Sequence, residues 1–198
     1  MAEGDFFTDN HFLTTLDVVF ANRFLEAVHL WEHDRRRISR SWAALAERRH
    51  DPRVARIQFA LAGMNAHINF DLALALVDTC RKLEVELGDG SQRQDFRRVN
   101  DIFKEVEESS REELLGDLGA FDETLVEDVV NAVGHFKVVR ARDAAWTNAN
   151  VVWELRRLPR LATNEFIATL DRLTGFAGRG LVLPLLPRSP GVAEAGGG

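Results

Sequence analysis

Gly63-Met64-Asn65-Ala66-His67-Ile68-Asn69-Phe70-Asp71-Leu72 lies inside a run, Ile57 to Val77, in which almost every other position is Ala, Leu, Ile, Phe, Met or Val. A helix that is apolar on all sides is buried at the centre of a protein. The stretch therefore predicts one buried central helix, from about Pro52 to Leu83, and the helix-favouring composition, with Pro scarce before residue 159 and no alternating strand-like run, predicts an all-α fold around it. Yet Asn65, His67, Asn69 and Asp71 stand in its middle, and burying such groups costs several kcal/mol unless each is paired. The fold must answer them with a structural network or with an active site.

Working outward, Leu13, Leu16, Phe20, Phe24, Ala27 and Trp31 recur at helical spacing and predict a first helix from about Asn10 to His33. Ser39 or Ser41 can cap a short helix through about Arg49, with His50-Asp51-Pro52 as a turn. Beyond the loop at Leu87 to Ser91, Asp95 to about Leu115 reads as an amphipathic helix with an acidic outer face. A turn at Gly116 to Gly119 precedes a long helix from Glu123 to about Leu158, with a kink at Gly134 and a stop at Pro159. Asn164 to Phe176 reads as a last short helix. From Gly178 the Pro- and Gly-rich tail is expected to run extended, with 189–198 disordered. The expected architecture is one helical domain over 1–188, a bundle of five to six helices.

Composition bounds the function. At 198 residues and 45% hydrophobic, the chain can bury a substantial core. A net charge of −6 and no basic stripe argue against nucleic acid. The 57–77 run is long enough to span a membrane, but its four central polar residues argue against spanning. The acidic start, Met1 to Asn10, has no basic segment of the signal-peptide kind, so the expected location is the cytoplasm. Cys80, the single cysteine, rules out an internal disulfide and reads as a small buried thiol. With no Tyr, no phenol can act as acid, base or nucleophile.

His67 and Asp71, at i and i+4, project about 40° apart on one helical face. Asp78 continues that stripe and Arg56 begins it. Such a pair can chelate a metal ion, form a base with its orienting carboxylate, or satisfy itself. On the first helix Asn22, Glu26, His29 and His33 share a stripe, and Glu26 and His29 have the Glu-x-x-His spacing of carboxylate-bridged di-iron bundles. Those need two such motifs and two further Glu residues; here one motif occurs, and the central helix holds no Glu. Glu127, Asn131 and His135 form a third stripe, followed by Arg140, Arg142, Asp143 and Trp146, where an arginine could neutralise Asp71 or Asp17.

Four stretches carry a resemblance: Phe20-Ala21-Asn22-Arg23-Phe24, the motif at 63–72, Asp95-Phe96-Arg97-Arg98-Val99-Asn100-Asp101, and Arg142-Asp143-Ala144-Ala145-Trp146. In this order they resemble the landmarks of an uncharacterised, mostly actinobacterial all-helical family, over about residues 10–160. The resemblance implies an all-α fold and a bacterial origin and brings no activity with it.

Two functional expectations follow. The first is an enzyme acting on a small, largely apolar molecule between helices, by cyclisation, isomerisation or hydrolysis. His67 and Asp71 would be its catalytic pair, with Asn65, Asn69, Asn22, Asn100, Arg142 and Trp146 binding substrate. A metal-dependent version would hold a divalent ion (Zn, Fe or Mn) on His67 and Asp71 with His29, Glu26 or His135. The second is a non-catalytic helical binding or dimerisation protein in which the polar ladder fixes helix register and a homo-oligomer forms on a helical surface.

Overall fold

The 56–83 helix does sit at the centre of the molecule. The structure, a computed structural model, describes residues 6–115 and 137–184, with backbone alone at 104–115. Among the described residues there are six helices and no strand: α1 (Asn10–His33), α2 (Arg40–Arg48), α3 (Arg56–Leu83), α4 (Ser91–Leu115), α5 (Val138–Leu155) and α6 (Arg160–Leu181). By length and composition α3 could cross a membrane, but most of its apolar window is covered by the other helices.

Local chemistry sets the ends. Asp9 caps α1 by accepting the amide of Phe12, and Ser39 does the same for Trp42 at the start of α2. α3 begins at Arg56 rather than Pro52, because Gln58 Oε1 accepts the amide of Ala55 and closes the first turn there. It ends at Glu84, which adopts a left-handed φ of 54°. α6 departs most from expectation, running from Arg160 to Leu181 instead of 164–176. Gly175 and Gly178 face α2 rather than end the helix. A Cβ on Gly175 would lie 2.6 Å from the carbonyl oxygen of Arg40, and one on Gly178 would lie 3.2 Å from Ala44 Cβ. Asp171, one turn earlier, accepts the amides of Arg40 and Ser41 and the Ser41 hydroxyl, pinning the start of α2 to the same seam. The start of the long helix before 137, its kink at Gly134, the turn at 116–119 and the tail from 185 lie outside the described residues.

Two apolar clusters divide α3 between them. Its C-terminal half (Leu72, Leu76, Val77) packs with Phe12 and Leu16 of α1, Phe96 of α4, and Trp146, Val152 and Trp153 of α5. Its N-terminal half (Ala62, Ala66) packs with Ala27 of α1, Trp42 and Leu45 of α2, and Val182. The two halves meet at residues 67–71, which are also where the helix changes character.

Candidate functional site

His67–Asp71 form a single π-helical turn, in which the Leu72 amide reaches back to the carbonyl of His67. Such turns insert into α-helices preferentially at functional sites. Here the turn sets two side chains against different surroundings. Asp71 is buried, its side chain 5% exposed, and its Oδ2 accepts the indole N–H of Trp42 at 2.8 Å. The same oxygen lies 3.1 Å from His67 Nδ1. His67 keeps 23% of its side chain exposed. Its ring lies flat on Phe20, with centroids 3.6 Å apart and planes within 3°, while Phe24 and Trp42 tilt around it.

Protonation follows from these contacts. An ionised Asp71 is acceptor-only, so the hydrogen between the pair rides on His67 Nδ1. That leaves Nε2 as the acceptor, and no described residue hydrogen-bonds it. A carboxylate that fixes the tautomer and would steady the imidazolium is what a histidine base requires.

The imidazole faces a cleft of about 650 Å³ that opens to solvent. Its wall is almost wholly apolar, from Phe20, Phe24 and Trp31 on one side to Trp42, Leu45 and Phe59 on the other. Besides His67, the one charged side chain on the described wall is Arg142 of α5. Arg142 is 7% exposed, donates Nε–H to the side-chain Oδ1 of Asn100, and lies over the rings of Phe96 and Phe103 at 4.2 and 5.1 Å. Burial draws its pKa down to about 10, and the charges of Asp17 and Asp143 hold it from falling further, so it remains a cation at neutral pH. Partial burial in turn raises the Asp17 carboxyl, an effect the Arg142 charge opposes. No described carboxylate makes an ion pair with Arg142; Asp143 pairs with Arg93 instead.

The other expected site residues fall elsewhere. Asn65 donates to the carbonyl of Thr174 on α6 and accepts from Asn69, so this pair ties α3 to α6 and neither residue lines the cleft. Asn100 supports Arg142 from behind. Trp146 is buried against Phe96 and under the Arg93 guanidinium, also outside the cleft. Asn22, Glu26 and His29 are exposed on the far side of α1, and His29 stacks on His33. The face of α1 that meets α3 is instead Phe20, Phe24 and Arg23, because stacking on an imidazole and burying aromatic area outweigh a polar stripe that water satisfies equally well. The longer stripe also divides: Asp78 pairs with Arg23 and Arg81, and Arg56 stands exposed at the first turn of α3. Among the described residues no three His, Cys, Asp or Glu side chains are placed so that they could hold one metal ion, and His135 lies outside those residues. Trp42 and Trp31 were absent from the expected site. The only trace of Trp42 in the sequence is that a buried indole N–H needs an acceptor. Cys80 is buried, and burial followed by the charge of Glu86 pushes its thiol up to about 12, which leaves it inert.

A family model described as "Family of unknown function (DUF5995)" matches residues 1–184, and the chain belongs to that family. No curated protein and no solved structure matches it.

Proposed function

We propose that this member of the family is an enzyme that moves a proton on a small, largely apolar molecule, with His67 as general base and Asp71 as the carboxylate that orients it. The observation that carries the reading is His67 on the wall of an apolar cleft, its Nε2 without a hydrogen bond to any described residue, while Nδ1 is committed to a buried Asp71 that Trp42 also holds. A cleft of this size and lining suits a small organic molecule. His67 Nε2 would take a proton from carbon, as in isomerisation or cyclisation, or from a water aimed at a carbonyl, as in hydrolysis. Asp71 would hold the resulting imidazolium until the proton is returned. The metal-dependent version has no third donor among the described residues and is not part of the proposal. A cytoplasmic setting fits the same reading.

The test is a panel of apolar esters, lactones and enolisable ketones, followed by product analysis and by deuterium wash-in from heavy water. The expectation is turnover of at least one class by the wild type and its loss in His67→Ala, with a cooperative melt retained. Turnover unchanged in His67→Ala would sink the assignment of the base.

A second reading has an observation of its own. The Asn65 amide is paired on both its sides by protein groups, Thr174 and Asn69, as a non-catalytic binding protein with a locked polar ladder would have it. Ligand binding to the cleft with no turnover of any panel member, in either the wild type or His67→Ala, would favour that reading.

A further inference from the structure

The geometry points to the chemical class of the ligand: an apolar molecule bearing a carboxylate, its chain in the aromatic cleft and its carboxylate on Arg142. The inference rests on the proposal that the cleft is the ligand site, and it goes beyond it by assigning the polar end.

Arg142 is a cation brought to an apolar wall without a described carboxylate in contact. Asp17 and Asp143 answer its charge only through space, and a buried guanidinium without a contacting anion stays costly. Its Nε edge is taken by Asn100, which fixes the plane of the fork, and Phe96 and Phe103 lie against its faces. No described acceptor hydrogen-bonds the two terminal nitrogens, and that edge is the one that receives a carboxylate bidentately. A second, independent observation supports an acceptor in the ligand. Trp31 lines the same cleft, and its buried indole N–H has no hydrogen-bond partner. A buried donor left unpaired costs about 1–3 kcal/mol, which a ligand oxygen would relieve. Apart from His67, the rest of the described wall is apolar, so the remainder of the ligand should be largely hydrocarbon-like.

The probes are decanoate and decanol, titrated below their micelle thresholds into the full chain and followed by calorimetry and by the fluorescence of Trp31 and Trp42. The expected result is decanoate binding at least about tenfold tighter than decanol, as one charge-assisted bidentate contact would give. Arg142→Gln should remove that preference and leave decanol affinity in place. Should Arg142→Gln fail to fold, Arg142→Lys serves, because an ammonium cannot reproduce the fork; decanoate should then weaken severalfold with decanol unchanged. Equal affinities in the wild type, or a preference that survives Arg142→Gln, would overturn the inference and leave the cleft as a ligand site. Binding of neither probe would overturn both the inference and the cleft. Selective decanoate binding in a protein that turns over no substrate would leave this inference standing and count against the catalytic proposal alone.

Discussion

Asn65–Asn69 and His67–Asp71 are two polar pairs with the same spacing, interleaved on the same apolar helix, and they meet opposite fates. The asparagine pair points at α6, where Thr174 offers a backbone carbonyl and Gly178 lets α6 come close. Asn65 has both sides of its amide paired by protein groups, Thr174 and Asn69. The histidine pair points at α1 and α2, where aromatic rings supply area and, among the described residues, one polar partner, the indole of Trp42. One nitrogen of His67 has no partner among the described residues, and the imidazole lines the cleft. What separates a lock from a candidate site is therefore not the polar residues themselves but whether the neighbouring helix brings enough partners.

The largest effect that would break this contrast is expected at His67. His67→Ala should lower turnover by about 10²–10⁴-fold, the usual contribution of a general base, while moving the thermal midpoint little. Its counterpart Asn65→Ala should do the reverse. Removing that amide leaves the Thr174 carbonyl unpaired and should cost about 1–3 kcal/mol of stability, with activity per folded molecule unchanged. If Asn65→Ala abolished activity in a fully folded protein, the division of the ladder into lock and site would be wrong.

Both pairs depend on one seam, so a substitution there should damage them together. Gly175→Ala would put a Cβ 2.6 Å from a backbone oxygen of α2, and backbone cannot move aside as a side-chain tip can. A cost of about 2–3 kcal/mol is expected from such overpacking. The displaced α2 should also draw Trp42 away from Asp71. Urea unfolding would give the first number, and the Trp42 indole proton resonance would report the second. Gly178→Ala, with 3.2 Å to a methyl group, should be milder. A fully stable Gly175→Ala would mean that the seam is not as tight as described.

Much of this was legible in the sequence, and the omissions share a cause. The apolar run and its polar core announced α3, and the limits of α1 followed from its periodicity. His67 and Asp71 could be read as a pair because they are close in sequence, and Arg142 stood among the expected substrate contacts, while Trp42 and Trp31 come from other helices and left no such signal. The five-residue π-turn is too short to alter a periodicity. Gly175 and Gly178 read as a helix end because glycine is a poor helix former in isolation, whereas here the approach of α2 demands them. The stripe of Asn22, Glu26 and His29 had the right spacing for α1 but sat on its solvent side, a choice that depends on which face α3 covers.

A second buried carboxylate sharpens the comparison at smaller scale. Asp95 is fully buried at the start of α4, and its oxygens accept the amides of Thr8 and Asp9 and the Arg98 guanidinium. Burial alone would raise its pKa, but those donors together draw it below the usual carboxylate value. A depressed folded-state pKa contributes stability that is present above the unfolded value, near 4, and is lost as pH falls through the folded value. Asp95→Asn should therefore cost about 1.5–3 kcal/mol at neutral pH and flatten the decline of stability below about pH 4. Melts of both proteins from neutral to acidic pH would check this. An equally steep acid decline in the variant would remove Asp95 from the account.

The smallest effect tests the contrast most directly. Asn69 is only half buried, and its one hydrogen bond runs to Asn65 at 3.2 Å. Asn69→Ala should cost about 0.5–1.5 kcal/mol, the net value of an ordinary hydrogen bond. Combined with Asn65→Ala, it closes a double-mutant cycle whose coupling, of order 0.5 kcal/mol or more, should be visible in stability and absent from turnover. The same cycle on His67→Ala and Asp71→Asn should couple strongly in turnover, since an orienting carboxylate has nothing to act on once the imidazole is gone. Two pairs of one spacing would then be separated by which observable carries their coupling. Asparagine coupling in turnover would make the whole ladder one functional unit, with the α6 contact part of the site rather than its support.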